Sequence, residues 1–276
     1  MFAKIYVVEL LCEELPQFSK KQLFDSLRKR CPAVEPLDGN LDSELFAFVH
    51  PDHLIEYAGG EIPAQTFIAV ADQEPDMEKI APAIEQSWGF SGAAEQVQRC
   101  TTSILVSDFM ARGLEYKTRL SLFQKVLTSV LEVIPCQAIH WQSSQQIIEP
   151  LTYLTAVASE NYPDLQAGAL NVRLFRIINE ESQGDILMDT IGLAALGLPD
   201  LQCHFRNLDV QAVAGMLYNT GLYIFENGDV IEDGHTVAGI NPKDKWLCQH
   251  EDSLLEPERV VLDVNPGYPF AAGGRS

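Results

Sequence analysis

Apolar side chains recur along this chain in two rhythms: continuous or alternating runs that mark strands, and a three-to-four-residue spacing that marks helices. The run AKIYVVELL, Ala3 to Leu11, is β-branched and apolar enough for a buried strand. FSKKQLFDSLRKRC follows with Leu23, Phe24, Leu27 and Cys31 at helical spacing, so the chain opens strand then helix. ELFAFVHP and QTFIAVAD read as two further strands, separated by a turn-rich stretch with Gly59, Gly60 and Pro63. PDMEKIAPAIEQSW then sets Met77, Ile80, Ile84 and Trp88 on one helical face, with Pro75 at its start and Pro82 as a kink or restart.

The β-α-β-β-α order then begins again. CTTSILVSDF is a strand, and LEYKTRLSLFQKVLTSVLEV is the strongest helix, with Leu120, Phe123, Leu127, Val130, Leu131 and Ile134 on a wide apolar face that implies deep burial. CQAIHWQS and QQII follow as short strands, LTYLTAVAS as a helix and ALNVRLFRII as a long alternating strand. With the faint echo of QLFDSL in SLFQKV, this order fits two copies of one ferredoxin-like α+β unit sharing a sheet or packing face to face. The expected fold class is α+β, with units at 1–95 and 96–276 and residues 185–264 completing the second.

That completing segment contains DILMDTIGLAALGLPDLQCHF, two strands joined by a Gly-rich bend, and LDVQAVAGMLYN, a helix capped by Asp209. The helical spacing runs on through Ile224 and Phe225 to Asn227-Gly228, which reads as a left-handed helix stop in preference to a hairpin turn. WLCQHE and RVVLDVN close the chain as strands, and YPFAAGGRS is expected to fray.

The run TIGLAALGLPDLQC from Thr190 to Cys203, the helix that follows, and GDVIEDGHTVAG from Gly228 to Gly239 resemble the C-terminal signature of the bacterial domain of unknown function 4261 family. The resemblance covers residues 190–239; before it, only the order of elements is compatible. It implies an α+β fold and brings no assigned catalytic residues, hence no mechanism. By analogy with acidic immunity proteins of similar size, the expectation is a non-enzymatic protein-binding protein that masks a basic toxin or other cationic partner.

Charge changes the picture more than composition does. Thirty-nine Asp and Glu stand against 19 Lys and Arg, a formal net charge of −20, which repels a phosphate backbone. Nucleic acid is therefore not an expected partner. The acids are also segregated. From Cys31 to Glu78 there is no Lys or Arg, while Asp38, Asp42, Glu44 and Asp72 belong to a run of eleven acids; Asn207 to Pro242 is a second base-free stretch, with Asp209, Glu226, Asp229, Glu232 and Asp233. Such a field serves solubility, or recognition of a basic protein surface. The candidate contacts are Asp38, Asp42 and Glu44, and Asp229, Glu232 and Asp233.

The N-terminal apolar run is broken by Glu9 and followed by Glu13, Glu14 and Pro16, which suits a strand and not a signal peptide. No apolar run reaches the roughly 18 residues of a membrane span. A soluble cytoplasmic protein is expected, with no membrane partner and its six scattered cysteines reduced.

For catalysis there is no GxSxG, and no GxGxxG or GxxxxGK[ST] for nucleotides, so no cofactor is expected. Cys203-His204, His235 and Cys248-Gln249-His250 gather near the C-terminus. Cys248 and His250 share a strand face, so with Cys203 or His235 they are the candidate metal ligands of a small hydrolase, although the spacing matches no established zinc pattern. Asp229, Glu232, Asp233 and His235 around Gly234 read as turn chemistry that also suits a cation or partner contact.

Overall fold

The N-terminal strand, β1 (Val7–Cys12), is apolar because it lies inside a sheet, flanked on both sides by strands contributed from later in the chain. The computed structural model describes residues 5–71, 73–159, 161–177, 184–241 and 243–273. Asp72, Ile178 and the last three residues of the C-terminal tail lie outside the described residues. The chain divides into two compact units, Lys4–Ala169 and, principally, Leu170–Ser276.

In the first unit β1 leads to α1 (Lys20–Arg30), β2 (Glu35–Pro36), β3 (Ala47–Tyr57), β4 (Gly60–Val70), α2 (Met77–Glu85), α3 (Ala93–Gln98), β5 (Thr102–Ser107), α4 (Tyr116–Leu131), β6 (Ala138–Trp141), β7 (Gln146–Ile148) and α5 (Pro150–Ala156). Three of these helices, α1, α2 and α4, start where a side chain accepts from a free amide. Ser19 and Gln22 form a reciprocal capping box on α1, and Asp76, not Pro75, caps α2. On α4, Leu120, Phe123, Leu127 and Val130 are fully or almost fully buried, as the periodicity requires. Phe123 stacks on Tyr6 at 5.3 Å and meets Trp141 edge-on at 5.6 Å, so β1, α4 and β6 share one aromatic core.

The strands of this unit form one seven-stranded sheet in the order β2-β3-β4-β5-β1-β6-β7, and each pairing is antiparallel. Two strand-helix-hairpin runs can be traced in it, β1-α1-β3-β4 and β5-α4-β6-β7. They do not close as separate ferredoxin-like units. The first strand of each run pairs with the hairpin of the other, β5 with β4 and β1 with β6, and the two first strands pair with each other. This exchange moves the boundary expected at 95/96, which falls within α3, to residue 169/170, because β5 cannot leave a sheet in which it bonds both β1 and β4.

Three local expectations also change. The turn-rich stretch between the second and third strands is itself strand: β3 and β4 pair from Ala47–Phe67 to Tyr57–Gly60, with an irregularity between His50 and Leu54 that accommodates Pro51 and the pairing to Pro63. Trp88 lies beyond the end of α2 and is 54% exposed, while Ile80 holds the buried face. The C-terminal tail does not fray at Tyr268–Ala272. Ala271 bridges Phe205, and the amides of Arg206 and Ala272 donate to the carbonyls of Phe270 and His204.

The second unit contains β8 (Asn171–Arg176), β9 (Ile186–Ile191), a 3₁₀ turn (Leu193–Leu196), β10 (Asp200–Phe205), α6 (Val210–Asn227), β11 (Thr236–Ala238), β12 (Lys245–Asp252) and β13 (Val260–Asn265). Its six-stranded sheet runs β11-β12-β13-β10-β9-β8, antiparallel except for the β10–β13 pair. The long helix is realised: Asp209 accepts from the Ala212 amide at its start, and Gly228 with φ +83° ends it. α6 packs on β8, β9 and β10 through Val213, Leu217, Ile224 and neighbours.

Candidate functional site

Within the second unit, the run Thr190–Cys203 builds a buried ionic knot. Gly192 (φ +136°) and Gly197 (φ +85°) let the chain turn sharply around the 3₁₀ segment, in conformations a side chain resists. The turn aims the amides of Leu193 and Ala194 at the Asp200 carboxylate, 3.0 and 3.3 Å away. Thr190 completes that shell, its hydroxyl 3.2 Å from Asp200 and accepting the Leu201 amide. Arg259 then joins Asp200 (3.1 Å) to Asp189 (2.6 Å), and Arg173 donates twice to Asp189. All four charged side chains are buried, and burial pushes the Asp200 carboxyl upward against the pull of Arg259 and the two amides. A dense, mutually satisfied set of this kind ties β8, β9, β10 and the 253–259 loop together, and its carboxylates accept from protein donors.

The Cys and His candidates end up in different surroundings. Cys203 and Cys248 are fully buried, and burial raises the Cys248 thiol to about 11, which keeps it protonated. His204 lies 3.8 Å from Asp185. His235 is exposed and its Nδ1 accepts from the Glu232 amide. His250 does share the β12 face of Cys248, as strand geometry requires, but it turns to carboxylates: Nδ1 is 2.9 Å from Asp233 and Nε2 is 3.2 Å from Asp229. Among the described residues no three His, Cys, Asp or Glu side chains converge to hold a metal ion.

The acidic loop after α6 is therefore organised. Asp233 takes both the backbone amide and the ring of His250, which holds its carboxyl below the usual range. Asp229 closes on the other ring nitrogen, and Glu232 projects outward with 81% of its side chain exposed. Two apolar residues of this loop, Val230 and Ile231, line a groove of about 480 Å³. α6 contributes Met216, Asn219, Thr220 and Tyr223 to its lining, and the remainder is the whole of β11 with His235 before it and Gly239 after it. β11 is the edge of its sheet, and sequence reading missed it because three residues with only Val237 half-buried carry no periodic signal inside DGHTVAG.

In the first unit, Asp38, Asp42 and Glu44 follow β2 but are not equivalent. Asp38 receives the Lys20 ammonium at 2.6 Å and the Ser43 hydroxyl at 2.5 Å, and these bonds hold its carboxyl well below the ordinary value. Lys20 is almost completely buried, so Asp38 is its counter-ion. Asp42 and Glu44 are exposed. Nearby, His50 is 2% exposed, its Nε2 lies 2.8 Å from Thr66, and its ring borders a 280 Å³ pocket with Arg30, His53 and Lys125. Sequence reading passed over it because a lone histidine in FAFVHP looks like any strand residue.

No helix among the described residues is long and apolar enough to cross a membrane. Residues 189–265 match the family model described as Domain of unknown function (DUF4261), the family that the Thr190–Gly239 run resembles. The match contains Asp189, Asp200 and Arg259 of the ionic knot together with α6, the acidic loop and β11–β13. No curated protein and no solved structure matches the chain.

Proposed function

We propose that this is a non-enzymatic binding protein that recognises a basic protein surface in the cytoplasm, an immunity protein masking a cationic toxin domain being its most specific form. The observation that carries this is the base-free acidic stretch Glu226–Asp233, which runs from the last turn of α6 into the following loop and whose Val230 and Ile231 line an open groove. Asp229 and Asp233 are fixed there by His250, so the carboxylates are presented in a set arrangement and not as a mobile fringe. Preorganised acids of one sign favour encounter with a basic patch and disfavour acidic competitors. Asp42 and Glu44 are a second candidate contact in the first unit; Asp38 is better understood as the partner of Lys20.

The test is to capture partners from the source cells, identify them, and measure association of the purified partner at low and high salt. Changing Asp229, Glu232 and Asp233 to the corresponding amides should slow association and flatten its salt dependence, with Asp42→Asn/Glu44→Gln as the comparison. Partners without a basic face, or rates indifferent to salt, would defeat the proposal.

A further inference from the structure

Five consecutive residues, His235 to Gly239, line the groove beside α6. Side chains alternate across a strand, so a groove lying on one face of β11 would meet every second residue; lining by all three β11 residues and by both their neighbours in sequence means that it lies along the strand's outer edge. β11 ends the sheet order, and β12, its inner neighbour, contributes none of the groove's lining. The backbone parity agrees. Cys248 donates its amide to the His235 carbonyl, so residues 235 and 237 face β12, and Thr236 and Ala238 turn their N–H and C=O groups outward. Both residues are exposed, and an exposed, unpaired edge is a template for another strand.

We infer that β11 receives an extended segment of the partner, which adds to the second sheet as a further antiparallel or parallel strand. Backbone bonds to Thr236 and Ala238 would hold it, as in other strand-addition complexes. One parity of its side chains would face Met216, Tyr223, Val230 and Ile231, so those residues should be apolar. The flanking charge fixes the rest. Asp229, Glu232 and Asp233 adjoin the lining residues Val230, Ile231 and His235 in sequence, before β11, while Lys245 lies opposite Ala238 in register at its other end. The segment therefore carries lysine or arginine at the end that meets the loop. This rests on the proposed recognition of a basic partner and names its mode.

The probe is the peptide acetyl-Val-Lys-Val-Lys-Val-Lys-amide, titrated into the full-length protein and followed by calorimetry and by backbone amide NMR. Saturable binding is expected, with the Thr236 and Ala238 amides among those that shift. N-methylation of alternate peptide nitrogens keeps charge and side chains but blocks pairing, and should weaken binding at least about tenfold. Exchange of the lysines for glutamates should abolish it. Ala238→Pro removes one outward donor at a position where an edge strand accepts proline, and should also cost at least about tenfold with an unchanged melting temperature. Equal binding of the N-methylated peptide, or no binding of any peptide, overturns strand addition. Either result leaves the basic-partner proposal to be decided by the salt-dependent association of the captured partner, so the two failures are told apart.

Discussion

Arg259 shows how a residue that looks unremarkable in sequence becomes decisive in the fold. It sits between Asp189 and Asp200 with all three side chains buried, and its remaining nitrogen donates to the carbonyls of Leu255 and Pro257. Removing it leaves the buried Asp200 carboxylate without a cationic partner, while Asp189 keeps Arg173. Arg259→Met is expected to destabilise the protein by about 3–5 kcal/mol, measured by urea unfolding, since breaking one partner of a buried ion pair leaves an uncompensated charge. His50 acts through pH instead. Burial, with a smaller push from His53, lowers its pKa from 6.5 to about 4, so the folded chain keeps the ring neutral where the unfolded chain protonates it. Stability from this group is complete above pH 6.5 and is lost as pH falls through about 4, amounting to about 3 kcal/mol at most. Unfolding free energy of wild type should thus drop across that window, and His50→Gln should show a shallower drop; equal slopes would remove His50 from the account.

At the scale of elements, the sequence was most legible where one face is buried over several turns. Leu120, Phe123, Leu127 and Val130 announce α4, and the core they enter is built around Phe123, Tyr6 and Trp141. Leu127→Ala should cost about 2–5 kcal/mol in chemical denaturation, the range for a large aliphatic residue removed from a packed interior. α6 was legible for the same reason, and its Asn227-Gly228 stop resolved the competing hairpin because Ile224 and Phe225 are buried on the helix. Legibility failed where pairing is decided by partners distant in sequence. Nothing in CTTSILVSDF says that it lies between Val70 and β1, so the repeat of element order was visible but the exchange of hairpins was not. Polar edge elements were also hidden: β11, and the outer half of the β3–β4 hairpin, where Gly59, Gly60 and Pro63 mimic a loop. The candidate site was half legible. Asp229, Glu232 and Asp233 stood out as an acidic loop, but His250 as the clamp that fixes two of them, and Asp38 as the counter-ion of a buried lysine, depend on contacts across 17 to 21 residues in one case and 18 in the other.

For the whole molecule, the net charge of −20 acts on folding and on association with opposite consequences. Like charges held in a compact fold repel one another, and salt relieves that repulsion, so added salt should stabilise this protein. Attraction of the acidic loop to a basic partner is screened by the same ions over a Debye length of about 8 Å at physiological strength, so association should slow. The two signs separate the meanings of acidity. If the acids serve solvation alone, raising sodium chloride from about 0.05 to 0.5 M raises the melting temperature and leaves any partner's association rate unchanged. If they serve recognition, the melting temperature rises while the association rate falls by at least about tenfold. The amide triple at positions 229, 232 and 233 should retain the first response, because the charge falls only from −20 to −17, and lose most of the second. Thermal melts and stopped-flow association across one salt series decide it: a triple variant that keeps the wild-type dependence of rate on salt would place recognition elsewhere than the loop of the second unit, with Asp42 and Glu44 the next residues to change.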